Sequence, residues 1–354
     1  MTADTVGGVF TYAVELARRL AADGVEVALA TFGRLLSDAQ RRQVREARAD
    51  VILETELALE WMPDPWADVE AAEELLLEAE RQVAPDVIHL NGFAHGSAPW
   101  RAPALVVGHS CVCSWWEAVH SEAPPPSWAR YCAAVTRGIA GAHAVAAPTQ
   151  TMLAALDRWY GPLPRGSRVV LNGIGYPGSQ RPQHKRPVVL GAGRLWDEAK
   201  NAAALGRVAG RPDLQGRVLL AGEGTVAGEA RLLGPLDAAA LAEVRRAAAV
   251  YAAPALYEPF GLGILEAARD RCALVLGDIP SLRELWSGAA VFVVPGDEEH
   301  LAVTLERLLA DPEATRALGE LARVRSGRYT AAAMSDAYRG MYRAAAAAGA
   351  GVTA

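Results

Sequence analysis

Two glutamates, Glu258 and Glu266, stand with seven residues between them in ALYEPFGLGILEAARD, residues 255–270. A strand-like run ends at Pro254, and Gly261-Leu262-Gly263 opens a helical pattern, so the segment reads as strand end, loop and helix N-terminus. The free backbone N–H groups and positive dipole end of such a terminus attract an anion, and the glycines let a ligand come close to the backbone. Phosphate, or the charge developing on a reacting sugar, suits that position. Glu266 would lie in the second helical turn, where a carboxylate can accept both hydroxyls of a ribose, and Glu258, ahead of the helix, would reach sugar hydroxyls. The isolated spacing is equally compatible with a turn residue followed by a solvated helix face; its neighbourhood decides.

Arg194 and Lys200 lie in VLGAGRLWDEAKN, residues 189–201. Two cations beside a helix N-terminus can hold a diphosphate, Arg through its planar fork, although such a pair taken alone is ordinary surface charge. Gly7-Gly8 at the head of a helical pattern is by itself a tight turn. His109 follows a strand in VVGHSCVCSWW; His89 and His95 follow another and are candidates for an acceptor side. Gly222 and Glu223 belong to AGEG after a further strand. Leu236 in RLLGPLDAAAL reads by itself as core leucine, and Glu284 in IPSLRELW as structural. Trp115, Trp116 and Trp128 form either an aromatic wall for sugars or membrane, or part of a core.

These residues need a scaffold. The 354 residues exceed what one core organises, which predicts two compact domains. Hydrophobic residues at 51% and charged residues at 21% describe an ordered globular chain. A formal net charge of −6 excludes a broad nucleic-acid footprint. The four cysteines lack metal-ligand spacing, so neither a zinc site nor a disulfide framework is expected. Neither an apolar run long enough to span a membrane nor a secretory signal is read, which leads to the expectation of a cytoplasmic protein, with peripheral membrane contact left open.

Aliphatic runs alternate with Ala/Leu/Arg/Glu-rich segments, the pattern of βα units in a mainly parallel α/β protein. A helix is expected over residues 8–22, and strands at 25–30, 87–90, 105–107, 144–147 and 169–171. The Pro-rich stretch PGSQRPQHKRP interrupts them. Strands resume at 188–190, 218–221, 250–253, 274–276 and 291–294. The expected organisation is a first doubly wound domain over 1–176, a linker over 177–187, a second over 188–328, and a last helix over 329–354 that packs back on the first domain. Open parallel sheets bind ligands beyond the carboxyl ends of their strands, so two such domains are expected to face each other across a cleft.

With these residues in place, EPFGLGILE resembles the E-x7-E segment of the retaining family-4 glycosyltransferases, of the group 1 type and GT-B fold. Residues 189–201 resemble the family's diphosphate-binding segment, carried here by Arg194 and Lys200. The stretch ADTVGGVFTYAVELARRL resembles its glycine loop and first helix, placing Gly7 and Gly8 near the donor phosphate or acceptor. His109 matches the histidine that contacts the donor sugar; Gly222, Glu223 and Leu236 match loops near the nucleotide; Phe260, Gly261, Leu262 and Gly263 line the donor beside Glu258 and Glu266. Two departures stand out. Met1-Thr2-Ala3-Asp4 leaves almost no strand ahead of the glycine loop, so that strand is short or begins upstream, and 268–272 lack the family's small residue and glycine.

The resemblance implies transfer of a hexose from a nucleotide-diphosphate sugar, with some preference for a UDP-sugar, to a glycan, lipid-linked or small-molecule acceptor. It implies retention by a front-face route, without metal or cofactor. A sugar-nucleotide epimerase of the same fold and a non-catalytic nucleotide-sugar-binding protein are the alternatives.

Overall fold

The computed structural model describes residues 1–176 and 184–350. Most of the segment read as a linker lies outside the described residues; its end at 186–187 already belongs to a strand. The chain divides into two compact units, the first comprising Met1–Glu117, Glu122–Gly175 and the segment from Thr330 onward, the second Ala118–Ser121 and Tyr176–Tyr329.

The first unit runs β1 (Thr2–Asp4), α1 (Gly8–Ala22), β2 (Ala28–Phe32), α2 (Asp38–Glu46), β3 (Asp50–Glu54), α3 (Trp66–Val83), β4 (Ile88–Leu90), β5 (Ala104–Val107), α4 (Val112–His120), α5 (Ala129–Gly141), β6 (Ala144–Ala147), α6 (Gln150–Tyr160) and β7 (Arg168–Val169). All its ladders are parallel, in the orders β1-β2-β3 and β4-β5-β6-β7. ALVV of β5 and AVAA of β6 are buried throughout, as strands covered on both faces must be.

The two ladders meet where β1 neighbours β4, and there Asn91 supplies the hydrogen bonds. Its N–H donates to Thr2 Oγ1 at 2.8 Å and its side-chain amide to the Thr2 carbonyl at 2.7 Å. Chain order runs outward in opposite directions from this seam, which makes it the switch point at which doubly wound sheets bind ligands. Three residues suffice for β1, so the strand that looked almost absent is present and paired with β2.

In the second unit follow β8 (Arg186–Ala192), α7 (Ala202–Val208), β9 (Val218–Ala221), β10 (Arg231–Gly234), α8 (Ala238–Ala247), β11 (Ala248–Ala253), α9 (Leu262–Arg269), β12 (Ala273–Gly277), α10 (Pro280–Trp286), β13 (Val291–Val293), α11 (Glu298–Ala310) and α12 (Pro312–Ser326). They build one parallel sheet in the order β10-β9-β8-β11-β12-β13. Val189, Leu220, Val250 and Val275 of the strands pack with Leu205 of α7 and Leu305 of α11. The edge strand β10 occupies a stretch taken from the sequence as the approach to a base-binding loop.

The last helix, α13 (Ala331–Ala350), belongs to the first unit, where it packs on α1. Met334, Tyr338, Met341 and Ala345 form its buried stripe at helical spacing. No helix among the described residues is long and apolar enough to cross a membrane.

Backbones touch where α5 crosses the short helical turn Ala94–Ser97. A Cβ on Gly138 would stand 1.8 Å from the Phe93 carbonyl oxygen, whereas one on Gly340 in α13 would meet nothing within 4 Å. Gly138→Ala is therefore expected to lower unfolding free energy by about 1–3 kcal/mol through overpacking. Gly340→Ala, at an exposed helical position, should raise it by about 0.5–1 kcal/mol. Urea melts of the two variants check both signs, and equal midpoints would contradict this packing.

Candidate functional site

The loops leaving β8, β9 and β11 interlock at the carboxyl end of the second unit's sheet. Gly193 N–H donates to the Ala221 carbonyl at 3.0 Å, and Leu195 N–H to that of Glu223 at 2.9 Å. Gly222, at φ +143°, lets these loops close: a Cβ there would lie 1.8 Å from the Gly193 carbonyl oxygen. Glu223 is thereby held by its backbone while its side chain stays exposed. Leu236, past the end of β10, is half-buried.

Arg194 donates to the buried Asp197 carboxylate at 2.7 Å and lies 5.3 Å over the ring of Trp196. Its side chain remains 39% exposed. Lys200 Nζ lies 2.6 Å from Glu258 Oε2. Backbone bonds hold that pair in place: the Ala199 carbonyl accepts from Leu256 and Tyr257, and Asn201, at φ +52°, donates its side-chain amide to the Pro254 carbonyl at 3.0 Å. Ser281 at the head of α10 donates to the Glu258 carbonyl at 2.7 Å. Glu284, one turn later, is exposed.

Gly261 precedes α9 at φ +82° and no side chain caps the helix, so its first N–H groups have no intrahelical or side-chain cap partner. Gly263 lets the helix pass close to Tyr251, whose hydroxyl would stand 2.8 Å from a Cβ there. The Phe260 ring is buried edge-on against Tyr329, 5.6 Å between centroids, which leaves its backbone as the part available to a ligand. Leu262 is half-buried.

Glu266 stands in the second turn, its Oε2 accepting from Arg245 Nη1 at 2.7 Å while the side chain stays 27% exposed. Arg245, at the end of α8, also donates through Nε to the buried Asp270 at 2.7 Å, and Asp270 accepts from the Tyr176 hydroxyl at 2.6 Å. Burial opposes the guanidinium charge, but Glu266 and Asp270 outweigh it and raise its pKa. Sequence reading did not single out Arg245 and Asp270 as site residues. Their signal was available: Glu266 and Asp270 are four apart on one helix and share a face that a cation can bridge.

In the first unit Gly7 is the extended residue before α1 and Gly8 its exposed first residue, again without a side-chain cap. The Asp4 carboxylate accepts from the Val6 N–H at 2.5 Å and shapes the turn. His109 follows β5 with Nε2 2.8 Å from Asn91 Oδ1 and its ring edge-on to Tyr12 at 4.5 Å. Burial lowers its pKa to about 4, so the ring is neutral near pH 7.

His89 and His95, read as candidates for an acceptor side, are each engaged by neighbouring elements. His89 is 3% exposed, its Nδ1 2.7 Å from the Tyr342 hydroxyl of α13, and burial lowers its pKa to about 3. His95 donates through Nε2 to the Val69 carbonyl of α3 at 3.0 Å. Both histidines bind structural elements together. Trp115, Trp116 and Trp128 are each half-buried. Cys113 and Cys132 approach to 3.1 Å between sulfurs, and no metal-binding group of three ligands occurs among the described residues.

The glycosyltransferase family 4 model matches residues 6–175, and the glycosyl transferases group 1 model matches residues 182–325. Comparison with curated protein sequences finds no match. Among solved structures, sucrose-phosphate synthase from Thermosynechococcus elongatus aligns with a TM-score of 0.77 at 20% identity over 96% of this chain and 93% of its own. HepE from Anabaena, in complex with UDP-glucose, gives 0.72 at 17% over 97% and 100%. A glycosyltransferase from Rickettsia africae gives 0.70 at 14% over 97% and 96%. These likenesses show a shared GT-B fold of two Rossmann-like domains. With the two family models together spanning most of both units, the chain belongs to the group 1 glycosyltransferases of GT-B fold.

Proposed function

We propose that this glycosyltransferase moves a hexose from a UDP-sugar to a hydroxyl-bearing acceptor with retention of anomeric configuration. The observation that carries the reading is the convergence of Arg194, the Lys200–Glu258 pair and the uncapped start of α9 at one end of one sheet. Diphosphate departure needs positive partners fixed before the reaction, and these groups supply them. The UDP-sugar complex of HepE, a protein of the same fold, favours uridine.

In the proposed step the acceptor oxygen forms a bond to the anomeric carbon as its bond to the β-phosphate oxygen breaks, on the same face. The acceptor proton passes to the departing phosphate oxygen, and Arg194 and Lys200 take up the growing charge. The backbone amides at Gly261–Gly263 assist. Lys200 meets Glu258 at 2.6 Å, so the cation is already aimed and Glu258 is placed to receive sugar hydroxyls. Glu266, oriented by Arg245 and 27% exposed, accepts the ribose hydroxyls.

Arg194→Ala and Lys200→Ala should each lower kcat about 100-fold, the scale of one lost oxyanion partner, as read by UDP release in the presence of acceptor. Near-normal turnover of both variants would sink the leaving-group assignment.

Glu266→Gln keeps the shape of the side chain and weakens its acceptor character. The thermal shift produced by UDP should shrink, with Kd rising about 10-fold or about 1.4 kcal/mol, while the ligand-free melting temperature serves as the control for folding. An unchanged UDP response would remove Glu266 from the ribose site.

A further inference from the structure

We infer that Asn91 is a positioning residue that holds His109 in its Nε2–H tautomer, so that the Nδ1 lone pair is offered to a hydroxyl group of a substrate. The second half rests on the proposed glycosyl transfer, whose substrates carry hydroxyls; the first half stands on the geometry alone.

The argument begins at Thr2. Its carbonyl oxygen can only accept, and it lies 2.7 Å from one end of the Asn91 amide, so that end is the NH2 group. The other end, Oδ1, therefore faces the two histidines, 2.8 Å from His109 Nε2 and 3.3 Å from His89 Nε2. An amide oxygen cannot donate. His109 must then carry its hydrogen on Nε2, and a neutral ring has its lone pair on Nδ1.

The same direction of donation accommodates the rest of the cluster. With its hydrogen on Nε2, His89 points it between Asn91 Oδ1 and the Tyr12 hydroxyl at 3.4 Å, and its Nδ1 accepts from the Tyr342 hydroxyl at 2.7 Å. Thr2, Asn91, both histidines and Tyr342 thus form one chain of hydrogen bonds with a single consistent sense. Tyr12 packs edge-on against His109 at 4.5 Å and supplies no charge. Burial is the sole cause of the lowered His109 pKa. Among the described residues Nδ1 has no hydrogen-bond partner, and His109 is half-buried.

A substrate hydroxyl that donates into Nδ1 gains electron density on its oxygen, which favours a reaction in which positive charge grows at an anomeric carbon. The opposite tautomer would withdraw density instead. Fixing the ring from its far side is how buried partners commonly tune a functional histidine.

The test is a long-range 1H–15N spectrum of the full chain labelled in histidine, with His109→Gln identifying the resonance. The expected result is Nε2–H for His109 in the unaltered protein, and a mixed or Nδ1–H ring in Asn91→Leu, with kcat reduced about 10-fold or more and the thermal shift by UDP unchanged. Asn91→Asp places a carboxylate beside Nε2 and should raise the His109 pKa from about 4. Imidazolium then forms at higher pH and the acid limb of kcat moves upward. An Nδ1–H ring in the unaltered protein, or an Nε2–H preference that survives Asn91→Leu, overturns the inference; the first outcome is read on the unaltered protein, with His109→Gln used for assignment alone. Loss of the preference with turnover intact upholds the positioning by Asn91 and overturns the role of His109 toward a substrate hydroxyl.

Discussion

A buried guanidinium organises the second unit of this protein. Arg245 is 5% exposed, and an isolated charge at that depth would cost several kcal/mol. Asp270 and Glu266 compensate it from one face of α9, and Tyr176 completes the hydrogen bonding of Asp270. The consequence is geometric as well as energetic. One carboxylate is sealed inside and fixes α9 against α8, whereas the other keeps part of its side chain exposed. Breaking such a cluster by removing a single member typically costs about 3–5 kcal/mol, because the survivors remain buried and charged. The orientation of Glu266 and the seating of the α9 C-terminus on α8 both follow from that one cation.

Backbone closeness does comparable work at the other cation. Arg194 and Lys200 sit on a loop that has little regular structure, yet its carbonyl and amide groups are engaged by residues 221–223 and 254–257. Asp197 binds Arg194 and also accepts from the Ala199 N–H at 3.1 Å, so one carboxylate orders both the side chain and the turn that leads to Lys200. Loop residues gain the precision of strand residues in this way, at the expense of tolerating nothing larger than glycine at position 222.

Much of this was legible in the sequence, for a physical reason. Strands covered on both faces must be continuously apolar, so β5, β6 and β9 announced themselves, and the glycine-led start of α9 was visible from Gly261 and Gly263. The edges were hidden. DVILE of β3 and RLLG of β10 are largely exposed and carry charge, and β1 is too short to show a pattern. Among side chains, distance in sequence set the limit. His89 lies in one short apolar strand and His109 just after another, and partners such as Tyr342, 253 residues away, mark the former as part of the core. Arg245 was overlooked because a cation at a helix end is ordinary until its buried partners are seen. Asn91 was overlooked because nothing local says that β4 must be joined to β1.

The position of α13 gives the order of synthesis a structural meaning. The second unit is complete once the ribosome has made Tyr329, but the first, begun earlier, lacks its final helix until Ala331–Ala350 emerges. Until then Tyr12 and His89 have no Tyr338 or Tyr342 to cover them. The amino-terminal unit is therefore the last to close, and a nascent chain carries its unfinished core for the time taken to make the whole of the other unit. A chaperone that binds exposed aromatic surface would find its substrate there.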